Sequence, residues 1–377
     1  MSSSPLHRLS ALGQSVWIDF LSRSSIRGGD LQGLIEEDAV VGATSNPTIF
    51  QKAMTAGNAY DEQLRELAGS AKDAKETFWA LAERDIKDAC DLFRPVWDGE
   101  RGARPARDGY VSLEVDPGLA YDTLATYREA LRLHEAVDRP NLMVKIPATK
   151  PGLAAIEDVV AQGHSINVTL IFSLRRYAEV AESYVRGIER LIAAGGEPSK
   201  VASVASFFVS RIDTEADRRL DELQPARKDG AVDRLKGKLA IANAKLAYQH
   251  YKEVFAGPRW EFLVNKGATP QRVLWASTST KNPVYRDTLY VEELLGADTV
   301  NTMPEETIRA YQDHGAPEPR LEQDVEQAQR LLEELAAAGV DYDDVTDTLE
   351  REGVEKFSAS FDELLEALAA KQLALAA

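Results

Sequence analysis

The chain has 377 residues, 44% hydrophobic and 28% charged, a balance that gives a large folded core and excludes disordered, fibrous and collagen-like classes. Acidic side chains outnumber basic ones 61 to 44, and the formal charge of −17 disfavours nucleic acid and anionic membranes as partners; an anionic ligand must meet a local cluster of positive groups. The single cysteine, Cys90, excludes an intramolecular disulfide and a Cys-rich metal site and reads as helix packing in a reducing compartment.

Eight short apolar or alternating runs of strand length recur along the chain: VWIDFL (16–21), AVVGATS (39–45), YVSLEV (110–115), LMVKIP (142–147), INVTLIF (166–172), VASVASFFV (201–209), RVLWAS (272–277) and DTVNTM (298–303). After the first, RGGDLQG (27–33) predicts a turn. The interval 46–109 is longer than one crossover helix: it predicts helices over about 47–67 and 71–96, then a solvent-exposed charged loop, DGERGARPARDG (98–109). Helical periodicity follows at YDTLATYREALRLHEAV (121–137), SLRRYAEVAESYVRGIERLIAAG (173–195) and, inside a second long interval (210–271), DRLKGKLAIANAKLAYQHYKEVF (233–255).

Strand then helix, repeated eight times, predicts an α/β fold, a (β/α)8 barrel with additional N- and C-terminal helices, as one domain over 1–377. The tail from about 315 holds two amphipathic segments, RLEQDVEQAQRLLEELAAAG (320–339) and EKFSASFDELLEALAAKQLALAA (355–377), expected to pack on the barrel. No run of roughly 18 apolar residues occurs. The start, MSSSPLHRLSALGQS, lacks the apolar core of a signal peptide, so a cytoplasmic location without membrane association is expected.

Two strand ends carry the same cap text, Thr44-Ser45-Asn46-Pro47 and Thr280-Lys281-Asn282-Pro283, where Asn predicts an N-cap and Pro the first helical residue. Catalytic groups of a barrel come from the C-terminal ends of several strands. Polar residues in or just after the runs are Asp19, Thr44, Asn46, Glu114, Lys145, Asn167, Thr169, Ser206, Arg211, Ser277 and Lys281. Lys145 is the sharpest, an ammonium in strand text that reads as buried on both sides. Burial disfavours the charged amine and prepares it to attack a carbonyl; the competing account is a structural ion pair with Glu114 or Asp19. Those carboxylates stand in apolar text, where they need a partner or an acid/base task. Asn167 and Thr169, two apart, share a strand face. Arg211 and Lys281, near the ends of runs six and seven, suit a phosphate at the barrel mouth, or else are solvated charges.

Other chemistries lack their patterns. The histidines at 7, 134, 164, 250 and 314 make no metal-ligand spacing, and no nucleotide-binding glycine motif follows a strand. G-x-S-x-G is absent, and DYDD (341–344) reads as a helix start, not a calcium loop.

Taken together, GATSNPTIF, VSLEVDP, VKIPAT, INVTLIFS, SVASFFVSRID and WASTSTKNP resemble the transaldolase family in its longer bacterial form with a C-terminal helical extension, in the correct order over about residues 15–305. The resemblance implies a metal- and cofactor-free (β/α)8 enzyme of the non-oxidative pentose phosphate pathway. Such an enzyme moves a dihydroxyacetone unit from sedoheptulose 7-phosphate to glyceraldehyde 3-phosphate, giving erythrose 4-phosphate and fructose 6-phosphate. It further implies Lys145 as the Schiff-base lysine, Asp19 as the base for the donor's C4 hydroxyl, Glu114 as an acid/base acting through a water, and Thr169 as a holder of that water. Thr44, Asn46, Asn167, Ser206, Phe208, Arg211, Ser277 and Lys281 are the implied substrate contacts, with sugar phosphates as partners and a monomer or homodimer as the assembly. One departure follows Ala276-Ser277: many relatives carry an arginine there, whereas this chain continues Thr278-Ser279-Thr280-Lys281, and lysine is a point charge where arginine is a planar fork. The nearest alternative is the shorter fructose-6-phosphate aldolase type, which typically has Gln at the place of Glu114 and Tyr at that of Phe208. The remaining alternative, a barrel that binds sugar phosphates without turnover, would be expected to lack Lys145 or the carboxylates.

Overall fold

The computed structural model describes residues 4–67, 73–100, 107–223 and 232–376. Eight parallel strands close into a barrel in sequence order: β1 (Gln14–Ile18), β2 (Val40–Thr44), β3 (Val111–Glu114), β4 (Leu142–Pro147), β5 (Ile166–Ile171), β6 (Ser203–Phe208), β7 (Arg272–Ala276) and β8 (Thr299–Met303), with β8 pairing β1. The expected (β/α)8 fold is the observed one, and seven of the eight predicted runs contain their strands; the exception is β1, which begins at Gln14, ahead of the run expected over 16–21. A closed parallel sheet is buried on both faces, which is why these strands read as near-continuous apolar text.

Helices follow the strands, and after β2, β4 and β5 a polar side chain just past the strand end caps the next helix. Asn46 accepts from the Ile49 amide at 3.0 Å, Thr149 from Gly152 at 3.1 Å and Ser173 from Arg176 at 3.0 Å, starting helices Pro47–Thr55, Lys150–Ala161 and Leu174–Ala193. The matching expectation at Asn282 fails. Its side chain accepts from Val284 N at 3.0 Å and closes a turn, and the next helix is Leu289–Glu293. Residues 281–288 are held instead by Tyr285, whose hydroxyl donates to Asp217 at 2.5 Å.

Other boundaries shift for local reasons. The region expected as one helix over 47–67 is two, Pro47–Thr55 and Asp61–Leu67, separated at Gly57 with φ 61°. Gly29, φ 92°, breaks 27–33 as expected, but Asp30 already begins a helix that runs to Glu37. The helix expected from 71 is Ala74–Trp97, capped by Asp73; residues 71 and 72 lie outside the described residues. The last helix is much longer than its amphipathic text suggested, Tyr342–Ala376, and DYDD is its start, with Asp341 accepting from the Asp344 amide at 3.1 Å. Cys90 is buried in helix packing.

The charged loop 98–109 needs a correction. Residues 101–106 lie outside the described residues, but Asp108 is not surface decoration: it is 6% exposed and plugs the barrel floor. Its carboxylate accepts from Ser15 Oγ at 2.8 Å, Trp17 Nε1 at 3.1 Å and Arg272 Nη2 at 2.9 Å, while Arg272 also donates to Ser15 Oγ at 2.8 Å. Gly42 makes room for the Trp17 indole, since a Cβ there would lie 2.5 Å from the ring. Every charge in this floor has a partner.

Removing Arg272 leaves the Asp108 carboxylate buried and uncompensated. Arg272→Ala is therefore expected to lower the unfolding free energy by about 3–5 kcal/mol in urea titrations. A loss below about 1 kcal/mol, the range of exposed pairs, would show that the floor network contributes little.

Candidate active site

The opposite end of the barrel carries a cleft of about 240 Å³ lined by Asp19, Thr44, Asn46, Lys145, Thr169, Ser206, Phe208, Arg211, Ser277 and Lys281. The parallel register sets the layer at its base: Glu114 on β3, Lys145 on β4 and Asn167 on β5 are successive cross-strand partners, so three polar side chains lie at one level, and of these Lys145 lines the cleft. Lys145 is 4% exposed. Its Nζ donates to the Ser45 carbonyl at 3.0 Å and stands 3.5 Å from Glu114 Oε2.

Glu114 is buried, and neither carboxylate oxygen accepts a hydrogen bond from the described protein. Desolvation raises its pKa to about 7, with the Lys145 charge opposing and the Asp19 charge assisting. Asp19 follows β1, anchored by its amide on the Met303 carbonyl at 2.8 Å. Desolvation pushes its carboxyl up, against the pull of Lys145, the Thr44 hydrogen bond, Arg211 and Lys281. Thr44 Oγ1 lies 2.6 Å from Asp19 Oδ1 and 2.7 Å from Thr302 Oγ1, so a hydroxyl relay on β2 and β8 orients this carboxylate.

The remaining expected residues separate into those that reach the cleft and one that does not. Asn167 lies a step beneath it, donating to Ser112 Oγ at 3.0 Å and accepting from Ser206 Oγ at 2.7 Å. It orients Ser206, which lines the cleft. Thr169 is fully buried and its hydroxyl makes no hydrogen bond within the described protein. Asn46 spends its carbonyl oxygen on the helix cap, which leaves its amide nitrogen for other donation. Ser277 adopts φ 58° and its hydroxyl meets Ser210 Oγ at 2.9 Å, tying the end of β7 to the helix Ser210–Leu223 that bears Arg211. Lys281 Nζ donates to Ser279 Oγ at 2.7 Å, which draws the ammonium back to the residues that follow β7.

Residues 16–368 match the family described as Transaldolase/Fructose-6-phosphate aldolase. The chain belongs to this family. Similar relatives, all named transaldolase, include those of Acidothermus cellulolyticus (53% identical, covering 97% of this chain and 96% of the relative), Parafrankia sp. (52%, 97% of each) and Mycobacterium tuberculosis (50%, 96% and 95%). Within a transaldolase-family barrel, the cleft also contains groups that strand text does not disclose. Thr302 stood in the eighth run as an ordinary alternating residue, and its pairing with Thr44 was open to the same search of strand ends. Lys52 and Glu306 enter from helices that follow β2 and β8. Ser45 acts through its carbonyl, which no side-chain pattern reveals. Phe357 comes from the last helix, and its place in the cleft had no local signal. Among the described residues no group of three or more His, Cys, Asp or Glu is placed to hold a metal ion, and no helix is long and apolar enough to cross a membrane.

The Glu114 environment predicts a pH effect on stability. Between about 4.5, its ordinary value, and about 7, the folded chain holds a proton that the unfolded chain has released, so stability falls as pH rises through that window. In Glu114→Gln this contribution is absent. Urea titrations at pH 5 and pH 7.5 should show the wild type losing on the order of 2 kcal/mol relative to the variant. Parallel pH profiles would mean that Glu114 does not titrate there.

Proposed function

We propose that the chain catalyses transaldolase chemistry, moving a dihydroxyacetone unit between sugar phosphates through a Schiff base on Lys145. The observation that carries this is a buried amine, set beside a carboxyl with pKa about 7, that opens onto a cleft also holding Arg211, within a family whose relatives bear that name. The donor is sedoheptulose 7-phosphate and the acceptor glyceraldehyde 3-phosphate.

Lys145 Nζ attacks the donor's C2 carbonyl carbon, and the carbinolamine hydroxyl leaves as water once protonated. Glu114 suits this step because a group titrating near neutrality both gives and takes a proton, here through a water that the unpartnered Thr169 hydroxyl would help hold. Asp19, fixed by Thr44, then takes the proton of the C4 hydroxyl. The C3–C4 bond breaks, its electron pair passes into the iminium to give an enamine, and the aldose departs. A second aldehyde accepts the enamine carbon, its oxygen regains the proton from Asp19, and hydrolysis frees Lys145. The lysine supplies the electron sink, so the sequence balances without a further redox or metal group.

The phosphate is assigned to Arg211 with Lys281 nearby, a positive cluster on a chain of charge −17. Transfer is favoured over release of free dihydroxyacetone by Glu114 and by Phe208, whose ring brings no hydroxyl to the cleft to direct water onto the intermediate.

Incubation with fructose 6-phosphate and borohydride should fix a three-carbon adduct on Lys145, located by peptide mass mapping and absent in Lys145→Ala. No adduct at that position overturns the Schiff-base assignment. Asp19→Asn is expected to lower kcat by about 10²–10⁴. Free dihydroxyacetone appearing as fast as the transfer product would favour the aldolase reaction instead.

A further inference from the structure

The last helix, Tyr342–Ala376, crosses the barrel mouth and is fastened at several points. Near its start Tyr342 donates to Asn243 Oδ1 at 2.6 Å and accepts from the Leu174 amide at 3.0 Å. Glu350 pairs with Arg176 at 3.0 Å, Ser360 Oγ meets Thr48 Oγ1 at 2.9 Å, and Gln372 donates to Thr77 at 2.7 Å. Between these anchors, Gly353 lets the helix approach the end of β5: a Cβ there would lie 2.9 Å from Leu170 Cδ2 and 3.6 Å from Phe172. One turn later Phe357, 4% exposed, reaches the cleft.

There it meets Arg211. The guanidinium carbon lies 5.8 Å from the Phe357 ring centroid and 5.3 Å from that of Phe208, which in turn packs 5.1 Å from Phe172. Among the described residues Arg211 makes no hydrogen bond or ion pair with another side chain. Its position is therefore held through contact with ring faces, which leaves its N–H donors, all in the guanidinium plane, uncommitted. Bidentate recognition of a phosphate needs that plane oriented and those donors free.

We propose that Phe357 is a positioning residue that orients Arg211 from the C-terminal helix, and so sets the preference of this enzyme for phosphorylated over unphosphorylated donors. This rests on the assignment of Arg211 to the substrate phosphate. The helix segment that holds it is part of the specificity apparatus: Gly353 sets its depth and Phe357 its contact.

The test compares Phe357→Leu, which keeps buried apolar volume but removes the aromatic face, with Phe357→Tyr, which keeps the face. Each is assayed with fructose 6-phosphate and with fructose as donor, erythrose 4-phosphate being the acceptor. Phe357→Leu should raise KM for fructose 6-phosphate about tenfold, a loss of the size expected for a desolvated cation–π contact, with kcat within about twofold. Turnover of fructose should be unchanged, and Phe357→Tyr should restore the phosphorylated donor's KM. In an Arg211→Met background, Phe357→Leu should have no further effect. If Arg211→Met lowers the preference for the phosphorylated donor but Phe357→Leu does not, the positioning role is overturned and the phosphate assignment stands. If Arg211→Met itself leaves that preference intact, the phosphate assignment fails. Equal losses with both donors would reduce Phe357 to a packing residue.

Discussion

A lysine held at 4% exposure inside a barrel is the constraint around which the mouth is organised. An ammonium in that position needs compensation, and the chain supplies a carboxylate at 3.5 Å and a peptide carbonyl at 3.0 Å. The carbonyl belongs to Ser45, in a four-residue stretch whose members each have a separate task. Thr44 fixes Asp19, Ser45 Oγ donates to Ser112 O at 2.7 Å and so anchors the peptide that faces Lys145, Asn46 caps the next helix, and Pro47 begins it. One strand end thus places the amine's acceptor, orients the second carboxylate and turns the chain away from the cleft.

The barrel contains a buried ion pair at each end, and their hydrogen bonding distinguishes them. At the floor, Asp108 accepts from Ser15, Trp17 and Arg272, which satisfies both carboxylate oxygens. At the mouth, Glu114 sits opposite Lys145 at 3.5 Å and accepts no hydrogen bond from the described protein. A pair serving only stability would resemble the first, because an under-satisfied buried carboxylate costs free energy. The second is held poorly enough for desolvation to bring its pKa to about 7, the condition that acid/base exchange needs near neutrality. Two buried pairs of a carboxylate and a cation thus differ in how many donors surround the carboxylate.

That contrast also explains which parts of the molecule were legible in the sequence. The eight strands were, because a buried parallel strand is almost continuous apolar text, and within such text Asp19, Glu114 and Lys145 stand out. Asp108 was not, since it lies in a charged stretch and the partner that draws it inward, Arg272, is far away in sequence. Asn282 had the same cap text as Asn46, yet Tyr285 binding to Asp217 favours a turn over a helix. Asn167 shared a strand face with Thr169 as expected, but saturation by Ser112 and Ser206 makes it a support for the cleft wall. In each case a long-range partner decided between two local outcomes.

The mouth also stores backbone strain. Leu170 near the end of β5 has φ 61° where the β5–β6 register shifts, and Ser277 after β7 has φ 58°. Non-glycine residues in that region cost on the order of 1–3 kcal/mol each and persist only where surrounding packing over-determines them. These two flank β6, the strand of Ser206 and Phe208 that leads into Arg211. Ser277 is held by Ser210 at 2.9 Å, and Leu170 by the close approach of Gly353 from the last helix. The helix that brings Phe357 to Arg211 therefore also packs against one of the two strained residues. Of the two amphipathic segments of the tail, the first forms the helix Val325–Ala338, packed on Leu239–Val254, whereas the last helix is a wall of the cleft, since the conformation of β5 and the aromatic contacts of Arg211 both draw on it.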